Sequence, residues 1–364
     1  MKKKPDYFLL FTVLSLIAVG IIALLSASSI ESKKDFGNIY SYFVHQLVFG
    51  IGSGAVLGFV AYHVDYRRLK RFAVPLLVGS IALLILVFIP AISVKSGGAR
   101  SWLNIFGVSI QPSEILKLTF VIYLAAWFDK KNAAIKKWSE GFVPFVILAG
   151  IVGVLILLQP DVGTLGVIMM IGLSMYFIAG AKISQIGAVM ALGLGLAGFL
   201  IKIAPHRVAR WDSFLDPSSD PFGAGYQLNQ ALLAVGSGGI FGVGIGKSLQ
   251  KYSFLPEPMK DSIFAIWAEE LGLVGAVFIV VLFIFVGLRG MKIAKEAKDG
   301  FGRLLASGIT VWIVVQAFVN IGSMMALVPL TGIPLPFISY GGSAMVATLA
   351  ATGVLLNISK MNSK

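Results

Sequence analysis

The sequence predicts an all-α polytopic membrane protein of about ten transmembrane helices, with a large extracytoplasmic loop between the seventh and eighth. Three observations predict it. Apolar stretches of about spanning length recur along all 364 residues, a hydrocarbon core requiring ~20. The chain is 57% hydrophobic and 13% charged, with a mean hydropathy of +0.89, far more apolar than soluble domains. The basic residues fall in short clusters between the spans, as membrane topology dictates. Residues 1–364 therefore read as a single membrane domain, with the long loop 204–261 inside it.

The first span, Tyr7–Ala27, follows MKKKPD and superficially resembles a signal peptide. Its apolar run is long for one and nine more spans follow, so it is expected to be a retained helix. The others are Phe43–His63, Phe72–Ile92, Ser113–Phe128, Phe142–Leu158, Val162–Ala181, Ile183–Ile203, Ser262–Leu288, Leu304–Leu327 and Ser343–Ile358. The fourth and tenth are short for a full crossing and should be assisted by the irregular segments before them.

With the N-terminus inside, 19 of the 30 Lys and Arg residues fall on the cytoplasmic side, which makes both termini cytoplasmic. The loops Ser93–Pro112, Lys202–Asp261 and Val328–Gly342 and the turn Gln159–Asp161 then belong to the outer face. They hold most of the Gly, Pro and polar punctuation outside the helices, so the working site is expected there. The net charge of +13 comes without aromatic interleaving or a nucleic-acid motif, which argues against nucleic acid as a partner. There is no cysteine, so disulfides are excluded.

Ionisable residues at membrane depth are costly and usually face a bundle interior or a wet cavity. Glu114 and Lys117 share a helix face at i,i+3 spacing and can pair, as a structural ion pair or at a substrate. Asp161 can cap the sixth span. Glu269 and Glu270 point to different sides of one helix, so at most one should readily face a shared cavity. Asp261 sits at the water–membrane boundary, after Pro256, Glu257 and Pro258. It reads either as an N-cap or as a carboxylate held there as a general base.

The stretch AVGSGGIFGVGIGKSLQK lacks the spacing and the preceding strand of a nucleotide phosphate loop. Its glycines with Lys247, Gln250 and Lys251 can still bed an anionic head group.

Together these segments resemble the SEDS family of bacterial envelope proteins. The resemblance is carried by GGARSWL, IQPSEILK, LQPDVGT, the run Arg207–Gly272 and GIPLPFISYGGSA, in order over nearly the whole chain. SLQK before FLPEP, and GAGYQ, are closer to the division branch than to the elongation branch. The resemblance implies a ten-helix peptidoglycan glycosyltransferase polymerising lipid II at the outer face of the cytoplasmic membrane. Implied partners are a class B penicillin-binding transpeptidase, other divisome membrane proteins and membrane lipids. It makes Asp261, in LPEPMKDSIF, the catalytic residue; Lys260 and Ser262 stand where the family pattern has Thr and Phe.

Such chemistry needs a base and cationic help for a pyrophosphate leaving group. Arg100, Arg207, Arg210, Lys247, Lys251, Gln250 and Ser343 are the expected substrate-binding residues. Glu114, Lys117, Asp161, Glu257, Glu269 and Glu270 are the expected supports. A divalent Mg²⁺ or Mn²⁺ is a candidate cofactor, with Asp261 as its protein ligand. A lipid II flippase and a non-catalytic scaffold for a transpeptidase stand as alternatives.

Overall fold

The computed structural model describes residues 4–362, except 97–98, 106–107, 204, 217–219, 224 and 253. Ten long helices match the ten expected spans: α1 (Tyr7–Phe36), α2 (Ser41–His63), α3 (Arg67–Leu86), α4 (Pro112–Lys131), α5 (Trp138–Leu157), α6 (Val162–Ile178), α7 (Ile183–Ile203), α10 (Ile263–Lys295), α11 (Gly300–Met324) and α12 (Gly342–Asn362). Two shorter helices, α8 (Pro205–Leu215) and α9 (Tyr226–Ser237), lie in the long connection. Seven of the ten are long and apolar enough by themselves to cross a membrane; α6 and the apolar part of α7 are shorter. The remaining one, α4, carries Glu114 and Lys117 near its start and Lys130 and Lys131 in its last turn. Those charges, rather than its 20 residues, set it apart.

The fourth and tenth spans are longer than their apolar runs suggest. Pro112 sits in the first turn of α4, where its missing N–H costs nothing. The first span likewise runs beyond Ala27, to a left-handed cap at Gly37, φ 70°, whose N–H donates to Lys33 O at 2.9 Å. The loop before α4 folds as a small antiparallel sheet, β1 (Ser93–Ser96), β2 (Ala99–Ile105) and β3 (Val108–Ile110), in the order β1-β2-β3. Nothing in the helical periodicity of the neighbouring spans announces it.

Helices α11 and α12 form the centre. Of their apolar stretches 72% and 78% is buried, against 17% in α2. Nevertheless α2 touches the centre closely: a Cβ on Gly353 would stand 2.1 Å from Gly58 O, so the two backbones meet where neither residue has a side chain. Residues Gln46–Gly52 of α2 wind as a π-helix. At the end of the bundle where α1 starts and α10 finishes, Arg289 binds Asp6 at 2.6 Å, and Asp6 N donates to Ser359 Oγ at 3.0 Å. This basic end also holds Asp299, which caps α11 through Gly302 N at 2.7 Å and accepts from Tyr66 Oη. The sheet, α9 and the segment 328–341 occupy the opposite, loop end.

Candidate active site

Asp261 lies one residue before the N-cap of α10. That cap is Ser262, so the helix-cap reading of Asp261 gives way to a carboxylate turned elsewhere. Asp261 is 7% exposed. Its Oδ2 accepts from Gln227 Nε2 of α9 at 3.2 Å, while Oδ1, buried, has no hydrogen-bond partner. Burial raises its carboxyl to about 6, with the Gln227 N–H acting in the opposite direction. A protonatable oxygen held free of other duties, with a pKa near neutrality, is what a general base requires.

Three elements fix the segment that carries that carboxylate. Gln227 Nε2 also donates to Ser262 Oγ at 3.1 Å, and Ser262 Oγ donates to Pro256 O at 2.9 Å. Asn320 of α11 donates to both Asp261 O and Ile333 O at 2.8 Å. The 331–340 segment closes the other side: Ser339 Oγ donates to Lys260 O at 2.6 Å and Tyr340 N to Met259 O at 2.8 Å. Glu257 (φ 49°) and Phe337 (φ 65°) hold left-handed backbone in these two segments, a local cost that the surrounding contacts maintain.

The expected support residues are drawn into this frame. Lys117 Nζ donates to Glu114 Oε1 at 2.7 Å and to Gln316 Oε1 at 2.6 Å; both charged side chains are 1% exposed. Gln316 Nε2 in turn donates to Pro334 O at 2.8 Å, so the buried pair holds the segment beside Asp261. Asp161 caps α6 through Thr164 N at 3.0 Å. Glu257 pairs with Lys260 at 2.9 Å in an exposed setting.

Glu269 and Glu270 depart from expectation. Both carboxylates engage one loop: Glu269 accepts from Leu249 N at 2.9 Å and from Ser248 Oγ, and Glu270 accepts from Ser248 N at 3.4 Å, and also from Ser26 Oγ of α1 at 2.5 Å. Adjacent residues on a helix lie ~100° apart, and a loop end lodged between their directions reaches both. The same lodging corrects the placement of Lys251. Its ammonium is buried, bonded to Glu270 Oε1 at 3.3 Å, Ser26 Oγ at 2.9 Å and Gly246 O at 2.6 Å. Glu270 holds it inside rather than open on the surface for a substrate.

Lys247 is exposed, and Gln250 is half-buried with an unpartnered Oε1. Arg100 lies half-buried on β2 opposite Lys95. Ser343 Oγ accepts from Gln111 N at 3.0 Å, tying the start of α12 to the start of α4. Arg207 and Arg210 are on α8, but their side chains lie outside the described ones.

The family model for the FtsW, RodA and SpoVE cell-cycle proteins matches residues 7–364. This chain belongs to that family, the SEDS proteins. It is 41% identical to stage V sporulation protein E of Bacillus subtilis, over 99% of this chain and 98% of that one. It is 39% identical to the probable peptidoglycan glycosyltransferase FtsW of Geobacter metallireducens, over 98% and 95%. A chain of a peptidoglycan synthase complex, whose polymerization and crosslinking are structurally coordinated, superposes with a TM-score of 0.81 at 28% identity, covering 99% of both. RodA of Thermus thermophilus follows at 0.72 and 28%, covering 99% of this chain and 98% of that one. As a SEDS protein it is an all-α, multi-pass membrane protein. Its sequence pointed to Asp261 but not to Gln227, Asn320 or Gln316. Two of these lie mid-span, and a polar residue in an apolar helix was the available signal.

Proposed function

We propose that this protein is a peptidoglycan glycosyltransferase that polymerises lipid II on the extracytoplasmic face of the membrane, in the division branch of its family. The observation that carries this is Asp261: a buried carboxylate at a helix entrance, one oxygen held by Gln227 and the other free. In the reaction the acceptor sugar hydroxyl gives its proton to Oδ1 as its oxygen bonds the donor's anomeric carbon. The bond from that carbon to the diphosphate oxygen breaks, and the lipid diphosphate leaves with the electron pair. Arg100 and Lys247, with Arg207 and Arg210, are the cations proposed to receive it.

Among the described residues no three His, Asp or Glu side chains converge as a metal cage. A single carboxylate with a free oxygen nevertheless suits an ion that takes its other ligands from diphosphate and water. Asp261 would hold it through Oδ1 in place of taking the proton there, and the bound ion would offset negative charge on the leaving group. The loop end is proposed to face outward, because the other end carries most of the basic residues. A transpeptidase is the proposed partner, in keeping with the synthase complex among the structural relatives.

Reconstitution in vesicles with labelled lipid II tests the reading. Glycan strands are the expected product. Leaflet transfer without strands would instead make the protein a flippase, and neither outcome, with the transpeptidase present, would leave it a scaffold.

A further inference from the structure

Helix α10 is broken at Gly272, where φ is 65° and ψ −159°. A break at membrane depth frees backbone groups that lipid cannot satisfy. Here another segment satisfies them. Val243 N and Gly244 N donate to Glu269 O and Glu270 O, both at 3.0 Å, while Leu273 N and Val274 N donate to Gly239 O and Ile240 O at 2.9 and 3.2 Å. The turn after α9 thus lies backbone to backbone against the broken helix. A Cβ at Gly272 would stand 2.5 Å from both Ile240 O and Gly242 N.

The depth of this contact follows from α10 itself. Arg289, paired with Asp6, marks the basic boundary. A hydrocarbon core of ~30 Å corresponds to about 20 helical residues at 1.5 Å each, which reaches back to Glu269. The turn 239–245 therefore stands at the outer edge of the hydrocarbon rather than in water. Its side chains agree: Ile240 is 61% and Phe241 80% exposed, Val243 and Ile245 are exposed beside them, and Leu273 and Val274 continue the apolar surface on α10. Beyond them the chain resumes at Lys247, and Ser248 and Lys251 bind Glu269 and Glu270.

We infer that α9 and residues 238–251 form a re-entrant hairpin whose apolar tip is seated among the acyl chains of the outer leaflet. The long connection, expected to be wholly extracytoplasmic, is in this respect a membrane element that enters and leaves on one side. The occupant is lipid because the tip is continuous, through paired backbone, with the exposed face of a spanning helix. The hairpin also sets the height of Asp261. Asp261 lies eleven positions before Gly272, ~16 Å along the axis, a distance that keeps the carboxylate above the acyl chains.

The chain has no cysteine, so single replacements carry a unique probe. The experiment places an environment-sensitive NBD fluorophore on Phe241→Cys and Ile245→Cys in the purified protein in phosphatidylcholine–phosphatidylglycerol vesicles. Leu273→Cys serves as the lipid reference and Phe222→Cys, 91% exposed in the same connection, as the aqueous one. Lipids spin-labelled at acyl carbon 5 are expected to quench the hairpin positions like Leu273, at least twofold more than position 222, with iodide showing the reverse order. Iodide quenching equal to that at position 222 would overturn the inference. Protection from both quenchers would overturn it as well, and would name a second copy of the chain as what covers the tip. All the replaced side chains are exposed, and retention of α-helical circular dichroism verifies folding in each variant.

Discussion

At Asp261, burial and the proposed role as a base have one cause. The carboxyl rises from 3.8 to about 6 because its charge is poorly solvated, so the group is neutral below that pH and a competent base above it. Polymerisation should accordingly fall as pH drops through about 6, measured as initial rate with lipid II over pH 5 to 8. The same shift has a stability consequence of defined sign. A folded-state pKa above the unfolded value stabilises the fold at low pH, and that contribution is lost as pH rises through about 6. Asp261→Asn, which never charges, should abolish strand synthesis yet match or exceed wild-type thermal stability at pH 7.5. The gain is at most about 3 kcal/mol, from roughly two pKa units. Loss of stability in the Asn variant would show that the negative charge itself holds the site together. The sequence made this residue legible through its position after LPEP at an apolar boundary. It could not show Gln227 or Asn320, because pairing between residues 34 and 59 positions away leaves no local pattern.

Among the elements, the Glu114–Lys117 pair shows how a local rule gains meaning from its surroundings. The i,i+3 spacing predicted the bond, while Gln316, which carries its effect to Pro334, was beyond reach of the periodicity. Glu114→Gln or Lys117→Met alone should cost about 3–5 kcal/mol by stranding a buried charge, whereas the double change should cost markedly less. Unfolding of the purified variants in graded denaturing detergent provides the comparison. At Gly272, alanine faces both left-handed backbone and two backbone atoms 2.5 Å away. Gly272→Ala should lose more than about 2 kcal/mol, and hydrogen exchange should accelerate at Val243 and Gly244. Unchanged protection there would mean the hairpin does not depend on the broken turn. The small sheet after α3 illustrates the opposite limit: short strands dominated by turns carry little period-2 signal.

For the whole molecule, ten spans were legible because each apolar run reports its own solvation, independent of its neighbours. Which helices form the centre was not, since α11 and α12 are not the most apolar of the spans. Orientation is open to direct measurement. Single cysteines at Lys33 and Lys298 should react from opposite sides of sealed vesicles with an impermeant maleimide, position 33 from the outside of right-side-out cells. Reaction of both from one side would reverse the placement of the loop end.

Helix α10 joins the Asp6–Arg289 clasp to the entrance occupied by Asp261, and only the break at Gly272 interrupts it. Two stiff rods meeting at such a break would ordinarily behave as a hinge, and a push or twist applied at one tip would dissipate there. Four backbone hydrogen bonds from the hairpin splint the joint. With the splint in place the two arms of α10 behave as one rod, so the height and direction of its Asp261 end are set from the Asp6–Arg289 clasp.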